Sequence, residues 1–317
     1  MKTHKNSEKI NQAVRDINAE IDYKFEQRKR NRTQTMEHII HGIFLLLGLI
    51  TVGCVLLITV YLVISGIPAI REIGLVDFLF GKEWVSTASE PKYGILPFIL
   101  TSVYGTAGAI MIGVPVGFMT AVYLSKLASP KVKSVMQSAV SLLAGIPSVV
   151  YGLVGMLVLV PGIRKIFNVP DGASLLAAII VLAIMILPSI IKMSITALDA
   201  VPKEYEDASL ALGATPIETY FKVSVPAAKS GIAAAVVLGV GRAIGEAMAV
   251  MMVAGNVPNM PDSLFQSVRF LTTAVSSEMA YSSGLQRQAL FSIALVLFLF
   301  IMLINATLNF FLKREKE

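Results

Sequence analysis

Five stretches of this chain contain no Lys, Arg, Asp or Glu: residues 39–70, 94–125, 134–163, 172–191 and 288–312. Each is long enough to cross a hydrocarbon core, which takes about 20 helical residues at about 1.5 Å apiece. A sixth window, about 231–257, has the length but contains two charges, Arg242 and Glu246. In lipid every backbone N–H and C=O needs an internal partner, so only helices or a closed barrel can span. The windows are rich in Leu, Ile, Val, Ala and Met without strict alternation, which excludes barrel strands. The sequence therefore predicts an all-α, polytopic membrane protein of about six transmembrane helices. With 15% charged residues, the 317-residue chain falls well short of the roughly 25% of a soluble domain.

The charges outside these windows are unevenly distributed. Nine Lys or Arg precede residue 38, and Lys126, Lys131 and Lys133 follow the second window. Lys192, Lys203, Lys222 and Lys229 follow the fourth, and Lys313, Arg314 and Lys316 close the chain. The alternate loops hold seven: Arg71, Lys82, Lys92, Arg164, Lys165, Arg269 and Arg287. The positive-inside rule then predicts an even number of spans with both termini cytoplasmic. It also accounts for the net charge of +6 without invoking nucleic acid.

The first apolar run begins near residue 39 and is too long for a signal-peptide core, so it reads as the first span. Residues 1–37 read as a cytoplasmic tail ahead of a transmembrane domain over 38–317. Glu8–Arg32 fits either a helix lying on anionic lipid or a solvated tail. The only tryptophan, Trp84, is expected to anchor an external loop at the lipid headgroups. Pro115, Pro147 and Pro188 are expected to kink the second, third and fourth spans. Ser129-Pro130 reads as an N-cap with proline at the first helical position.

Residues 199–229 are too long for a simple helix connection and are not loop-like. Pro202 followed by Lys203-Glu204-Tyr205-Glu206 opens a helix with acids in its first turn, which should stop at Gly213. Thr215-Pro216-Ile217-Glu218 then reads as a capping box with proline at N1, opening a second helix that should end before Pro226. Between them lies an apolar elbow, Ala211-Leu212-Gly213-Ala214. An exposed elbow of that kind calls for a protein partner.

The elbow resembles the coupling segment of ABC importer permeases, whose pattern is E-A-A, three residues, G, nine residues, I-x-L-P. Asp207-Ala208-Ser209 stands at E-A-A, Gly213 at the glycine, and Val223-Ser224-Val225-Pro226 at the end of the pattern. The spacing is kept, while Asp, Ser and Val depart mildly from the residues of the family. Within that family the chain is similar to permeases of the phosphate-specific transport (Pst) system, of the PstC type. Lys82-Glu83-Trp84, Tyr93-Gly94-Ile95-Leu96-Pro97, Ala144 to Gly152 and Gly239 to Val250 followed by Gly255-Asn256 make the likeness.

The resemblance implies a type I ABC importer permease bundle that forms half of a pathway for inorganic phosphate. It also implies partners: a second, PstA-like permease, two copies of a PstB-like cytoplasmic ATPase, and an extracytoplasmic PstS-like binding protein. The ATPase would dock on Glu206, Asp207, Ala208, Leu212, Gly213, Ala214, Thr215 and Pro216. An importer for another oxyanion (phosphonate, sulfate or molybdate) stays open, as does a signalling role beside transport. An ion-coupled carrier working alone would need more buried ionisable groups and would leave the elbow unexplained.

Arg242 and Glu246 are four residues apart and so are expected on one helix face. A charge at membrane depth costs at least about 2.5–3.5 kcal/mol, so the pair needs a reason. One reading is a structural ion pair. The other has Arg242 facing the pathway, where a guanidinium matches oxyanion geometry, with Glu246 steadying it. The order, Arg before Glu, is the weaker one for an intrahelical pair. Nothing in the sequence points to an enzyme or a cofactor. No G-x-x-x-x-G-K-[ST] loop is present, so ATP hydrolysis would belong to a partner. The three histidines and the single Cys54 offer little for a metal site.

Overall fold

The computed structural model describes residues 2–314, with side chains described between 36 and 310 apart from 38, 308 and 309. Helices dominate, in the order α1 (Lys2–Ile73), α2 (Leu75–Phe80), α3 (Leu96–Val122), α4 (Pro130–Gly145), α5 (Ser148–Val154), α6 (Val160–Phe167) and α7 (Leu175–Asp199). They continue as α8 (Lys203–Ala211), α9 (Pro216–Thr219), α10 (Val225–Ala227), α11 (Lys229–Gly245), α12 (Met248–Val253), α13 (Leu271–Glu278) and α14 (Gly284–Arg314). One hairpin pairs β1 (Trp84–Val85) antiparallel with β2 (Lys92–Tyr93).

Chain contacts divide the molecule into two units, Met1–Tyr61 and Leu62–Glu317. The first is a single helical run, continuous from Lys2 through the expected tail boundary at residue 37. The lipid-surface reading of Glu8–Arg32 rests on side chains outside the described ones.

In the second unit α7 is the central element, packed against α3, α4, α5, α11 and α12. Ser174 caps its start by accepting a bond from Ala177 N–H. The neighbouring N–H groups of Ser174, Leu175 and Leu176 bond to carbonyls of Val253, Gln266 and Leu264. The α3–α7 contact is set by glycines. A Cβ at Gly108 would lie 2.7 Å from Ile179, at Gly113 2.7 Å from Ile186, and at Gly117 2.9 Å from Ile190. Side chains of α7 fill the space that these glycines leave, the small-residue packing of membrane helices. Pro115 and Pro188 lie inside α3 and α7, and both helices run on past them.

Among the described residues five helices are long and apolar enough to cross a membrane, and six when the bent pair Pro216–Ala227 and Lys229–Gly245 counts as one span. Two of the expected spans are not single helices. The window 134–163 breaks at Ile146-Pro147, separating α4 from α5. Pro147 lacks an N–H and pushes Ile146 to an extended conformation, ψ 126°, so the break follows from the proline. The window 231–257 breaks at Glu246-Ala247, between α11 and α12. The helices that follow the two breaks meet: Gly152 of α5 packs on Ala249 and Met252 of α12, too close to admit a Cβ.

Trp84 is not a headgroup anchor. It is 4% exposed, in a cluster with Tyr93, Phe98, Leu271 and Leu290, and its indole N–H donates to Glu278 at 3.2 Å. Glu278 also accepts from Gln286 and pairs with Arg269, whose guanidinium donates to the carbonyl of Asn256 and lies over the Phe98 ring. The indole is therefore the apolar wall and the donor of a polar clamp joining the hairpin to α13 and α14. A buried Trp N–H needs such a partner. Ser129 begins α4 as expected, though its hydroxyl makes no capping bond.

Candidate functional site

Two regions were singled out by the sequence, and they lie at different places in the second unit. The first is the segment α8–α10. Its local chemistry follows the sequence closely. α8 ends at Ala211, and Gly213 takes φ +88°, where a side chain would be strained. Both halves of the capping box form. Thr215 Oγ1 accepts from Glu218 N–H at 3.3 Å, and Glu218 Oε2 accepts from Thr215 N–H at 3.1 Å. The bond from Thr215 N–H foremost, then those from Lys222 and from the Thr215 hydroxyl, hold the Glu218 carboxyl down at about 2.

The second helix does not end before Pro226. It widens to a π-turn over Tyr220–Ser224 and continues through Val225–Ala227 before bending by 71° into α11. Proline removes one hydrogen bond and crowds the carbonyl four residues back. A wider turn, with bonds five residues apart, relieves both.

The expected docking residues divide in two. Asp207, Ala208, Leu212, Gly213, Thr215 and Pro216 are exposed, and Ala214 is half-buried. Leu212 is 90% exposed, with Ile217, Tyr205 and Leu210 also open. Isolated apolar groups need no explanation, whereas four exposed ones on one ordered elbow set this segment apart from an ordinary connection. Glu206 is turned the other way. Its Oε1 is 2.5 Å from Lys126 Nζ and accepts from Ser224 Oγ at 2.8 Å. Ser209 and Thr219 hydroxyls bond to each other at 2.9 Å, tying α8 to α9. Nearby, Asp199 accepts from Ser125 and Lys133. The elbow is thus fastened through Glu206 to the π-turn that continues α3, and Asp199 ties the end of α7 to that same turn and to α4. Sequence reasoning had counted Lys126 and Lys133 only as positive-inside charges.

The second region surrounds Arg242. The one-face expectation for Arg242 and Glu246 does not hold, because α11 stops at Gly245 and Glu246 is extended, φ −74° and ψ 128°. The two form no ion pair among the described residues. Glu246 Oε1 instead accepts from Ala249 N–H at 3.0 Å, capping α12, while its carbonyl accepts from Thr272. A carboxylate is favoured at a helix N-terminus, and that new start competes with continuation of α11.

Arg242 donates from Nη1 to Ser189 Oγ at 3.1 Å. It lines a cleft of about 560 Å³ with Ser189 of α7, Ala234, Val237, Leu238 and Gly241 of α11, and Asn305 of α14. Neither Ser189 nor Asn305 was singled out by sequence. The available signal was Asn305, an unusual carboxamide within a charge-free window.

Comparison with known proteins decides the family. A profile described as "Binding-protein-dependent transport system inner membrane component" matches residues 113–316, more than half of the chain. The chain belongs to this family. Among relatives of the permease, the "Probable ABC transporter permease protein YqgH" of Bacillus subtilis is 41% identical over 266 residues, covering 81% of this chain and 86% of that protein. The "Phosphate transport system permease protein PstC" of Haemophilus influenzae is 34% identical over 278 residues, covering 81% and 86%. A solved chain of the MetNI methionine ABC transporter in an inward-facing form superposes on the permease with a TM-score of 0.55. It covers 69% of this chain and 96% of that one at 20% identity, a likeness of fold. The permease is therefore a multi-pass transport subunit of the inner membrane with the type I ABC importer fold.

Proposed function

We propose that the permease is the PstC-type subunit of an ATP-driven importer of inorganic phosphate. The PstC relatives support the substrate. Within the molecule, the supporting observation is Arg242: a guanidinium in a cleft at membrane depth, held by a neutral serine, with no carboxylate among the described residues that line the cleft. Such a group stays charged and meets phosphate oxygens in bidentate fashion. Glu246 caps the broken span beside it and leaves the arginine's charge for the anion.

In this reading the chain forms half of the pathway, and a PstA-like permease supplies the other half. Two copies of a PstB-like ATPase dock on the elbow through Asp207, Ala208, Leu212, Gly213, Ala214, Thr215 and Pro216. Glu206 transmits that contact to α3 rather than touching the ATPase. The hairpin end of the bundle receives a PstS-like phosphate-binding protein, and both termini lie in the cytoplasm, in accord with the charge count. The tail over 1–37 precedes the transmembrane domain and lies on the ATPase side.

The test is ATP-dependent phosphate uptake by the reconstituted complex, with sulfate and molybdate as competitors. Uptake blocked by excess phosphate alone is expected. Equal inhibition by sulfate or molybdate would overturn the substrate. In the same assay Arg242→Leu should abolish uptake while the complex still assembles, and normal uptake by that variant removes Arg242 from the pathway.

A further inference from the structure

We infer that Ser189 and Asn305 complete, with Arg242, a transit site for a tetrahedral oxyanion in the cleft between α7, α11 and α14. The inference rests on the reading of Arg242 as the group that meets the anion. It adds two residues to which the sequence motifs assign nothing.

Depth is the first argument. Ser189 lies ten residues from the Asp199 end of α7, Arg242 thirteen from the Lys229 end of α11, and Asn305 nine from the Arg314 end of α14. At about 1.5 Å per residue, these are about 15, 20 and 14 Å from helix ends that the charge count assigns to one side, the cytoplasmic one. The three polar groups thus share one level in a region otherwise lined by Ala234, Val237, Leu238 and Gly241. Polar side chains at that depth are costly unless they are satisfied or used.

Hydrogen-bonding capacity is the second. A guanidinium has five N–H donors, and Ser189 Oγ is the one protein acceptor of Arg242 among the described residues. That bond occupies a lone pair of Ser189 and leaves its O–H to donate elsewhere. Asn305 is half-buried and makes no side-chain hydrogen bond among the described residues. Its carboxamide offers two N–H donors and an oxygen acceptor, so it suits either a bare oxyanion oxygen or one that keeps its proton. Together the cleft presents a cation, a hydroxyl and an amide from three helices, with no carboxylate among its lining residues. Its volume of about 560 Å³ leaves room for a hydrated anion in passage rather than a tight fit. A loosely held site is what transport needs, because the anion must leave as well as enter.

An ion pair between Arg242 and Glu246, one of the two arrangements open from sequence, would have neutralised this cleft. The break at Glu246 removes the carboxylate from it, and Ser189 orients the guanidinium without quenching its charge.

The experiment compares Asn305→Leu, Asn305→Gln and Ser189→Ala in the reconstituted four-component complex, measuring uptake of radiolabelled inorganic phosphate and binding-protein-stimulated ATP hydrolysis. Asn305→Leu should lower uptake at least about tenfold with stimulated hydrolysis kept, and Asn305→Gln should restore it to within about threefold. Ser189→Ala should lower uptake about three- to tenfold, since the arginine loses its orienting acceptor. Asn305→Ala replaces the leucine variant if the latter does not assemble. Wild-type uptake by the apolar variants, or equal loss in Asn305→Leu and Asn305→Gln, overturns the inference. Failure of this inference alone looks different from failure of the underlying reading: Arg242→Leu would then be inactive while Asn305→Leu transports normally.

Discussion

Lys126, in the π-turn Tyr123–Leu127 that continues α3, and Glu206, in the elbow helix α8, meet at 2.5 Å between Nζ and Oε1, with side chains only 11% and 19% exposed. Ser224 donates to the same carboxylate oxygen from the π-turn. One acidic group therefore joins three segments: the end of a spanning helix and both arms of the elbow. At this burial the pair is more than a solvent-screened surface contact, and removing one partner strands the other.

Replacing Glu206 by Ala should loosen the elbow from α3 by about 1–3 kcal/mol. In the reconstituted complex, ATP hydrolysis should persist while phosphate moved per ATP falls. The charge-swapped double variant Lys126→Glu, Glu206→Lys should recover part of the loss. An unchanged ratio of transport to hydrolysis in Glu206→Ala would show that the pair does not transmit motion.

Gly213 at φ +88° has open space around its Cα, so a side chain there meets strain rather than a clash. Gly213→Val should cost about 1–2 kcal/mol and re-aim Leu212. Co-purification of the ATPase with the permease pair is the readout, and weaker retention is expected. Gly213→Asn should be milder, since asparagine tolerates that conformation.

Glu218 gives the elbow a pH dependence. Its folded value of about 2 lies below the ordinary 4.5, so its contribution is present above the ordinary carboxylate range and lost as pH falls through about 2. Amide exchange at Ile217, Glu218 and Thr219 should accelerate as pH drops from about 5 to about 2.5, beyond the intrinsic pH effect on exchange. Glu218→Gln should flatten that response. Protection in the wild-type elbow that stays constant over the window would contradict the capping account.

Glu246 should behave as a cap. Glu246→Ala should cost about 1 kcal/mol through the lost bond to Ala249 N–H, whereas Glu246→Asp or Glu246→Gln keeps an acceptor and should cost less. Thermal unfolding of the purified complex distinguishes them. Equal destabilisation by Ala and Gln would point to the charge itself.

Much of this was legible in the residues. The windows without charge give the helices, and the Thr215–Glu218 box gives the start of α9, because both are governed by local rules. What was not legible depended on partners remote in sequence. Trp84 reads as a loop indole until Glu278, 194 residues away, accepts its N–H. Glu246 reads as the helical neighbour of Arg242 until its carboxylate takes the amide of Ala249 and caps a second helix from outside. Ser189 and Asn305 have no local motif at all; only the packing of three helices brings them to one cleft. Pro226 misled in another way, since a π-turn upstream lets the helix pass a residue that usually ends one.

The glycine face of α3 has a mechanical consequence. Gly108, Gly113 and Gly117 let α7 approach until isoleucine side chains sit where Cβ atoms would be, and such interlocked surfaces do not slide without first separating. The two helices then answer a push as one stiff beam. A displacement entering at Lys126 must appear with little loss at their far ends, so any compliance in the transport cycle has to reside elsewhere, at the two broken spans.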